Sequence, residues 1–167
     1  MNTGVIQRGE EENAGDAEGK LFWDLSGAII AASIEVHEVL GAGLLEGMYE
    51  AALFHELGLR AIAVRRQLEV PVFYKGVSLT QALRLDLLVE DTIVVELKSV
   101  EVVLPVHKAQ LLSYLRLTNR ELGLLINFNT PQLKNGVHRV VNSHRKKSAS
   151  SASSAFSAFS AFSSSPR

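Results

Sequence analysis

The chain reads as a single α/β domain of α+β mixed character, and three observations point that way. Two helical stretches come first and a run of short strands follows them. Within that run, apolar β-formers alternate on both sides of Glu90-Asp91-Thr92, which is the pattern of a hairpin. Beyond the hairpin, a helix-period stretch leads into an almost wholly apolar strand, Leu122 to Asn127, as in a strand-helix-strand crossover onto a sheet covered on both faces. The expected product is a sheet flanked by helices.

Length and composition bound the possibilities. A chain of 167 residues supports one domain with a real core and is short for two. Its 17 Lys and Arg nearly balance 18 Asp and Glu, so no global field argues for nucleic acid, although a local cleft can be basic on a neutral protein. There is no cysteine, which removes disulfides, thiolate catalysis and cysteine-built zinc sites and makes a reducing cytoplasm the simplest compartment. No apolar run approaches the ~20 residues of a membrane helix, and the start is acidic rather than a basic leader. The expectation is a soluble, cytoplasmic, unprocessed protein.

Residues 1–22 are polar and acidic, with Glu10-Glu11-Glu12, Asp16 and Glu18, and carry too little apolar material to offset their ordering entropy; they read as a flexible arm. Leu25 to Leu40 is a helix, with Leu25, Ala28, Ile29, Ala32, Val36, Val39 and Leu40 at three- and four-residue steps. Asp24 or Ser26 can cap its start and Gly41 can supply the left-handed residue at its end. His37 reads as a half-exposed helix residue outside any site. A second helix runs from about Leu44 to Leu57, closed by Gly58, with an apolar stripe of Leu45, Met48 and Ala52, Leu53 at its edge, and Glu46, Tyr49 and Glu50 on a neighbouring face. Glu46 lies in the first turn, where the helix dipole favours a carboxylate, so by spacing alone it is a helix-start residue.

Ala61 to Arg66 and Leu68 to Tyr74 are strand-like, Pro71 argues for an edge or a bulge, and Lys75-Gly76 marks a turn before Val77 to Leu79. After the central hairpin, Val102 to Pro105 is a connection and Val106 to Leu117 a helix on which His107, Gln110 and Tyr114 share a face. Val137 to Val141 adds a strand after Asn135-Gly136. The ordered domain is expected to span 23–142. The tail, 143–167, opens with His144-Arg145-Lys146-Lys147 and continues in Ser, Ala and Phe; it reads as low-complexity and disordered.

The hairpin carries the chemistry. Its polar residues are Arg84 and Asp86 in one arm and Glu96 and Lys98 in the other, each pair spaced by two. A two-residue loop would set Asp86 against Val95 and put the carboxylates on opposite faces. A loop that also takes Thr92 sets Asp86 against Glu96 and Arg84 against Lys98. That register sorts Leu85, Leu87, Val89, Ile93, Val95 and Leu97 onto one apolar face, so burial should select it.

Facing carboxylates repel, and one moves toward protonation unless a cation lies between them. A magnesium ion suits two carboxylates and a backbone carbonyl, here that of Leu97, with Glu46 raising the oxygen count; Mn²⁺ is a natural substitute. Such an ion activates water and polarises a phosphodiester, and Lys98 can hold the water or neutralise the phosphate. The same residues can equally make a salt-bridge ladder on an exposed sheet face.

A resemblance separates these readings. Asp86 followed by Glu96-Leu97-Lys98 resembles the Asp…(Asp/Glu)-x-Lys signature of the PD-(D/E)XK nuclease superfamily. Gly43-Leu44-Leu45-Glu46-Gly47-Met48-Tyr49 matches the motif that names the GxxExxY proteins within it. Similarity also runs through Ala32 to His37, Arg84 to Val89, and Leu124-Leu125-Ile126-Asn127-Phe128-Asn129. The resemblance implies a restriction-endonuclease-like αβββαβ core with a mixed sheet, and it moves Glu46 into the metal site. It also implies that Gln110 and Tyr114, at the four-residue spacing of the RecB-like branch, face that site, where Gln110 orients water or a ligand and Tyr114 contacts phosphate. Leu85 replaces the proline of the superfamily name, which contributes no ligand.

The implied activity is Mg²⁺-dependent hydrolysis of nucleic acid, DNA in the first place, by Asp86, Glu96, Lys98 and Glu46. The metal would be held by Glu46, Asp86, Glu96 and the Leu97 carbonyl, and Gln110, Tyr114, Tyr49 and Arg84 would act on substrate or behind the site. Without a base-reading module, specificity would come from a protein partner, a homodimer or DNA structure. The alternatives are a non-catalytic nucleic-acid-binding or scaffold protein on a nuclease fold, and a domain that only positions an assembling tail.

Overall fold

The structure, a computed structural model, describes residues 6–143, with the backbone alone for 6–18, 21 and 22. The expected basic and low-complexity tail lies outside the described residues from 144 onward. Helix α1 (Ile6–Leu40) and helix α2 (Glu46–Leu59) lead into strands β1 (Val64–Val70), β2 (Phe73–Tyr74), β3 (Val77–Ser78), β4 (Leu83–Val89) and β5 (Ile93–Lys98). Helix α3 (Pro105–Leu117) then crosses to β6 (Leu122–Asn127), and a 3₁₀ turn precedes β7 (Val137–Val141). The main sheet has the order β1-β4-β5-β6-β7, with β2 and β3 forming a separate ribbon. Only β5–β6 is parallel within it, so the sheet is mixed, as expected of a restriction-endonuclease-like fold.

The central hairpin has the three-residue loop. Leu87 pairs with Val95, Leu88 with Val94 and Val89 with Ile93. Glu90 and Asp91 take φ of 48° and 52°, and the Thr92 amide donates to the Val89 carbonyl at 2.9 Å. Two left-handed residues in succession match the twist of the flanking strands, which ordinary turns would splay. Asp91 is held in that loop by Arg65 of β1 and by Arg120, the latter at 2.9 Å.

Both sheet faces are covered. On one, α1 and α2 bury Ile29, Ala32, Val36, Tyr49, Leu53 and Leu57 against Leu87, Val95, Leu97, Leu124 and Ile126. On the other, α3 buries Leu111 and Leu115 against Val70, Leu85, Leu88, Val94 and Leu125. Each fully buried leucine contributes about 1.5–3 kcal/mol. Leu85 therefore belongs with α3 and not with Leu87, where strict alternation puts it. The reason is a local break: regular pairing of β4 with β5 stops at Leu87, and the Leu97 amide donates instead to the Asp86 carboxylate at 2.8 Å. β1 kinks at the same level, where Gln67 has φ 51°.

The helices differ from expectation in three ways. Helix α1 begins at Ile6, so the backbone of most of the expected arm is helical and neither Asp24 nor Ser26 caps a start; Ser26 instead donates to the Trp23 carbonyl. Helix α2 begins at Glu46 and runs through Gly58 to Leu59, its left-handed residue being Ala61 (φ 55°). Its buried side is Tyr49, Glu50, Leu53 and Leu57, whereas Leu45 and Met48 are exposed. The face that carries Glu46 and Tyr49 is thus the one turned to the sheet. Val39 is likewise exposed, while Gly41 ends α1 at φ 73° as expected.

Candidate active site

Three chain segments converge at one end of the sheet. Antiparallel pairing brings the start of β4, with Asp86, beside the end of β5, with Glu96 and Lys98. The start of α2 is fastened to the same place by Ser99, which donates through Oγ to the Leu44 carbonyl at 2.6 Å and whose backbone amide draws the Glu46 pKa downward. Behind it, Asn127 clamps the chain that leaves β5, accepting from the Val100 amide at 3.0 Å and donating to the Val100 carbonyl at 2.8 Å.

The charges at this point form one electrostatic unit. Lys98 Nζ donates to Glu96 Oε1 at 2.7 Å and lies 3.9 Å from Glu46 Oε1. Glu96 is almost fully buried, and its other oxygen, Oε2, has no hydrogen-bond partner. Burial, then the neighbouring Asp86 charge, push its pKa up to about 7 against the pull of Lys98. Burial also raises Asp86, outweighing the Leu97 amide, Lys98 and Arg84. Glu46 is raised mainly by burial and further by Asp86, although Lys98 opposes this. For Lys98, burial works downward, but the bond and charge of Glu96, with Glu46 and Asp86 behind it, carry the net shift upward. The four groups named from the hairpin and the second helix thus act on one another directly.

In this arrangement the ammonium of Lys98 sits among the carboxylates. Among the described residues no group of three or more His, Cys, Asp or Glu side chains is gathered closely enough to hold a metal ion. The donor set is nonetheless one a hard cation accepts: ionisable oxygens only, with Glu96 Oε2 buried and unbonded.

The remaining sequence candidates fall in different places. Tyr49 is fully buried, stacked on Phe128 with ring centroids 4.4 Å apart, and its hydroxyl donates to the Gly41 carbonyl (2.7 Å) and accepts from the Leu44 amide (3.0 Å). It holds the turn in front of Glu46 and has no exposed surface for a substrate. Gln110 and Tyr114 lie on α3, half-buried and hydrogen-bonded to each other. Arg84 is exposed at the start of β4, opposite Glu69 of β1, and acts on Asp86 through its charge. His37 binds the Thr130 carbonyl at 2.9 Å and stays outside the site. Sequence reasoning missed Ser99, Asn127, Glu50 and Gln67. Glu50 is buried on α2, accepts from Gln67, and is approached at 3.1 Å by Arg66 Nε without hydrogen-bond alignment. A serine directly after the Glu-x-Lys strand was the one visible signal for Ser99.

No curated protein and no solved structure matches the chain. The model of the PD-(D/E)XK nuclease superfamily matches residues 23–140, a stretch that contains both helix–sheet contacts and every residue of the carboxylate cluster. The chain belongs to the PD-(D/E)XK nuclease superfamily.

Proposed function

We propose that the protein is a Mg²⁺-dependent nuclease acting on DNA, within the GxxExxY group of its superfamily, with Asp86, Glu96, Lys98 and Glu46 as its catalytic set. The observation that carries this reading is the buried, unbonded Oε2 of Glu96 beside a second raised carboxylate, Asp86. A fold needs no such arrangement. An ion-pair ladder kept for stability would be solvated or fully paired, because an unsatisfied buried charge is destabilising.

Glu46, Asp86 and Glu96 would hold the metal, together with the Leu97 carbonyl, which leaves the strand on the same side as the amide bonded to Asp86. When bound, the ion supplies an activated water and a Lewis acid for the phosphodiester. The protein's own contributions are separate. Lys98, which donates to Glu96 in this structure, would offer its N–H donors to the attacking water or to the charge that develops on phosphorus. Gln110 and Tyr114 serve the substrate side from α3, and Arg84 adds a phosphate contact at the rim. Tyr49 acts only through the loop it holds.

Hydrolysis of supercoiled, linear and branched DNA with Mg²⁺ or Mn²⁺ tests the reading. Cleavage should require the ion and fall by about 10²-fold or more in Lys98→Ala. Cleavage that persists in Lys98→Ala, or metal binding untouched by Asp86→Ala, rules the assignment out.

A further inference from the structure

The β2–β3 ribbon lies outside the core and buries almost nothing. Phe73, Tyr74, Val77 and Leu79 are 63%, 62%, 66% and 47% exposed, although four large apolar side chains on so short a ribbon would ordinarily be covered. The ribbon is nonetheless shaped. Lys75 and Gly76 take φ of 50° and 84°, a left-handed pair that makes a tight two-residue turn, and the Leu79 amide closes the base on the Val72 carbonyl at 2.8 Å. Phe73 pairs with Ser78 and Tyr74 with Val77. Successive residues of a strand face opposite ways, so each face of the ribbon carries one aromatic ring.

Its position follows from the strand order. The ribbon connects the end of β1 to the start of β4, and the start of β4 lies beside the end of β5. It therefore stands at the same end of the sheet as Asp86, Glu96 and Lys98. Its charge is one-sided too: between Pro71 and Leu85 the ionisable side chains of fixed charge are Lys75 and Arg84, with no acid among them. Lys75 already lies over the Tyr74 ring, 5.4 Å from its centroid.

We propose that this ribbon is the wedge with which the site recognises DNA at a junction between duplex and unpaired strands, stacking one base on Tyr74 and one from the other strand on Phe73. The proposal rests on the nuclease reading and adds its substrate class. Stacking on an aromatic ring needs no base identity, and an apolar wedge that parts two bases is a known way of gripping distorted DNA. Lys75 and Arg84 take the phosphates flanking the parted bases. A second copy of this chain would instead favour one continuous apolar face and gain nothing from cations at the turn and the base.

The test uses the full chain in chelator, so that binding is read without cleavage, on a forked DNA and a blunt duplex of the same sequence, with 2-aminopurine at the fork. Wild type should prefer the fork by about 10-fold or more and change the 2-aminopurine emission. Tyr74→Ala and Phe73→Ala should each remove most of that preference, and so should Tyr74→Leu, which keeps the apolar surface without the ring. Tyr74→Trp should retain it. Equal binding of fork and duplex by wild type, or a preference that survives both alanine substitutions, overturns the wedge. So does a wild-type dimer in light scattering that Tyr74→Leu preserves and Tyr74→Ala breaks. Metal-dependent cleavage that needs Lys98 but falls equally on fork and duplex in wild type would sink the wedge while leaving the site reading intact.

Discussion

Asp86 accepts the backbone amide proton of Leu97 at 2.8 Å, a bond that regular β pairing would give to a carbonyl of the neighbouring strand. One carboxylate oxygen thus completes the sheet, and the other is left for the proposed chemistry. Asp86→Ala should cost about 1–2 kcal/mol, because a buried amide loses its acceptor, whereas Asp86→Asn, which still offers an amide oxygen, should cost less than half as much. Both should abolish metal-dependent cleavage. Chemical denaturation checks the first point; equal destabilisation by the two substitutions would show that the bond does not matter to the fold.

Glu96 binds its proton more tightly in the fold, with a pKa of about 7, than at its ordinary value of 4.5. Its ionised form therefore subtracts from stability. The loss begins as pH rises through the ordinary carboxylate range and is complete above about 7. In metal-free protein Glu96→Gln should raise stability by up to about 3 kcal/mol at pH 8 and leave it unchanged at pH 4. Lys98→Met, which removes the cation bonded to Glu96, should move the pH 8 midpoint the other way. Thermal melts at the two pH values decide it, and a Glu96→Gln protein no more stable at pH 8 would contradict the buried-charge account.

Tyr49 separates packing from loop support. Tyr49→Phe keeps the ring stacked on Phe128 but releases the Gly41 carbonyl and the Leu44 amide. The expected cost is about 1–2 kcal/mol, with slower cleavage because Glu46 follows the loosened turn. Tyr49→Ala also empties a fully buried site and should cost about 3–5 kcal/mol. Melting curves alongside cleavage rates check this; wild-type rates in Tyr49→Phe would show that the turn holds without the hydroxyl.

Two buried glycines differ in what a methyl would meet. A Cβ at Gly136 would lie 2.2 Å from the Asn127 carbonyl oxygen, which is backbone, whereas one at Gly123 would meet the Leu111 side chain at 2.8 Å and above. Side chains can shift and that backbone cannot, so Gly136→Ala should cost about 3 kcal/mol or more and Gly123→Ala about 1–2 kcal/mol. Urea titration of both variants gives the order; the reverse order would mean that the Leu111 packing is the stiffer of the two.

Much of this was legible in the chain itself. The hairpin register followed from apolar sorting alone, because only the three-residue loop puts Leu87, Val89, Ile93 and Val95 together, and those four do share a core. The α3 crossover and β6 were equally plain, since a strand buried on both faces has little choice of composition. Helix α2 was not plain: apolar residues lie all round it, and only docking decides that Tyr49 and Glu50 turn inward while Leu45 and Met48 stay out. Leu85 was misplaced because its facing depends on a side chain standing in for backbone, which periodicity cannot encode. The partners of Ser99 and Asn127 were not legible for a similar reason, since each works through main-chain groups far away in sequence.

Strand β5 is buried from Ile93 through Leu97 and paired along both edges, and its last residues carry the proposed chemistry. In a survey of random substitutions along β5, loss of fold and loss of activity should therefore coincide, leaving few variants that are stable and inactive. Helix α2 offers the opposite case at Glu46, whose side chain is 44% exposed and stands at the start of a helix held elsewhere by Leu53 and Leu57. Natural or laboratory drift toward an inert but folded descendant has its easiest route there, and such descendants should lose the acid of α2 before they lose that of β5.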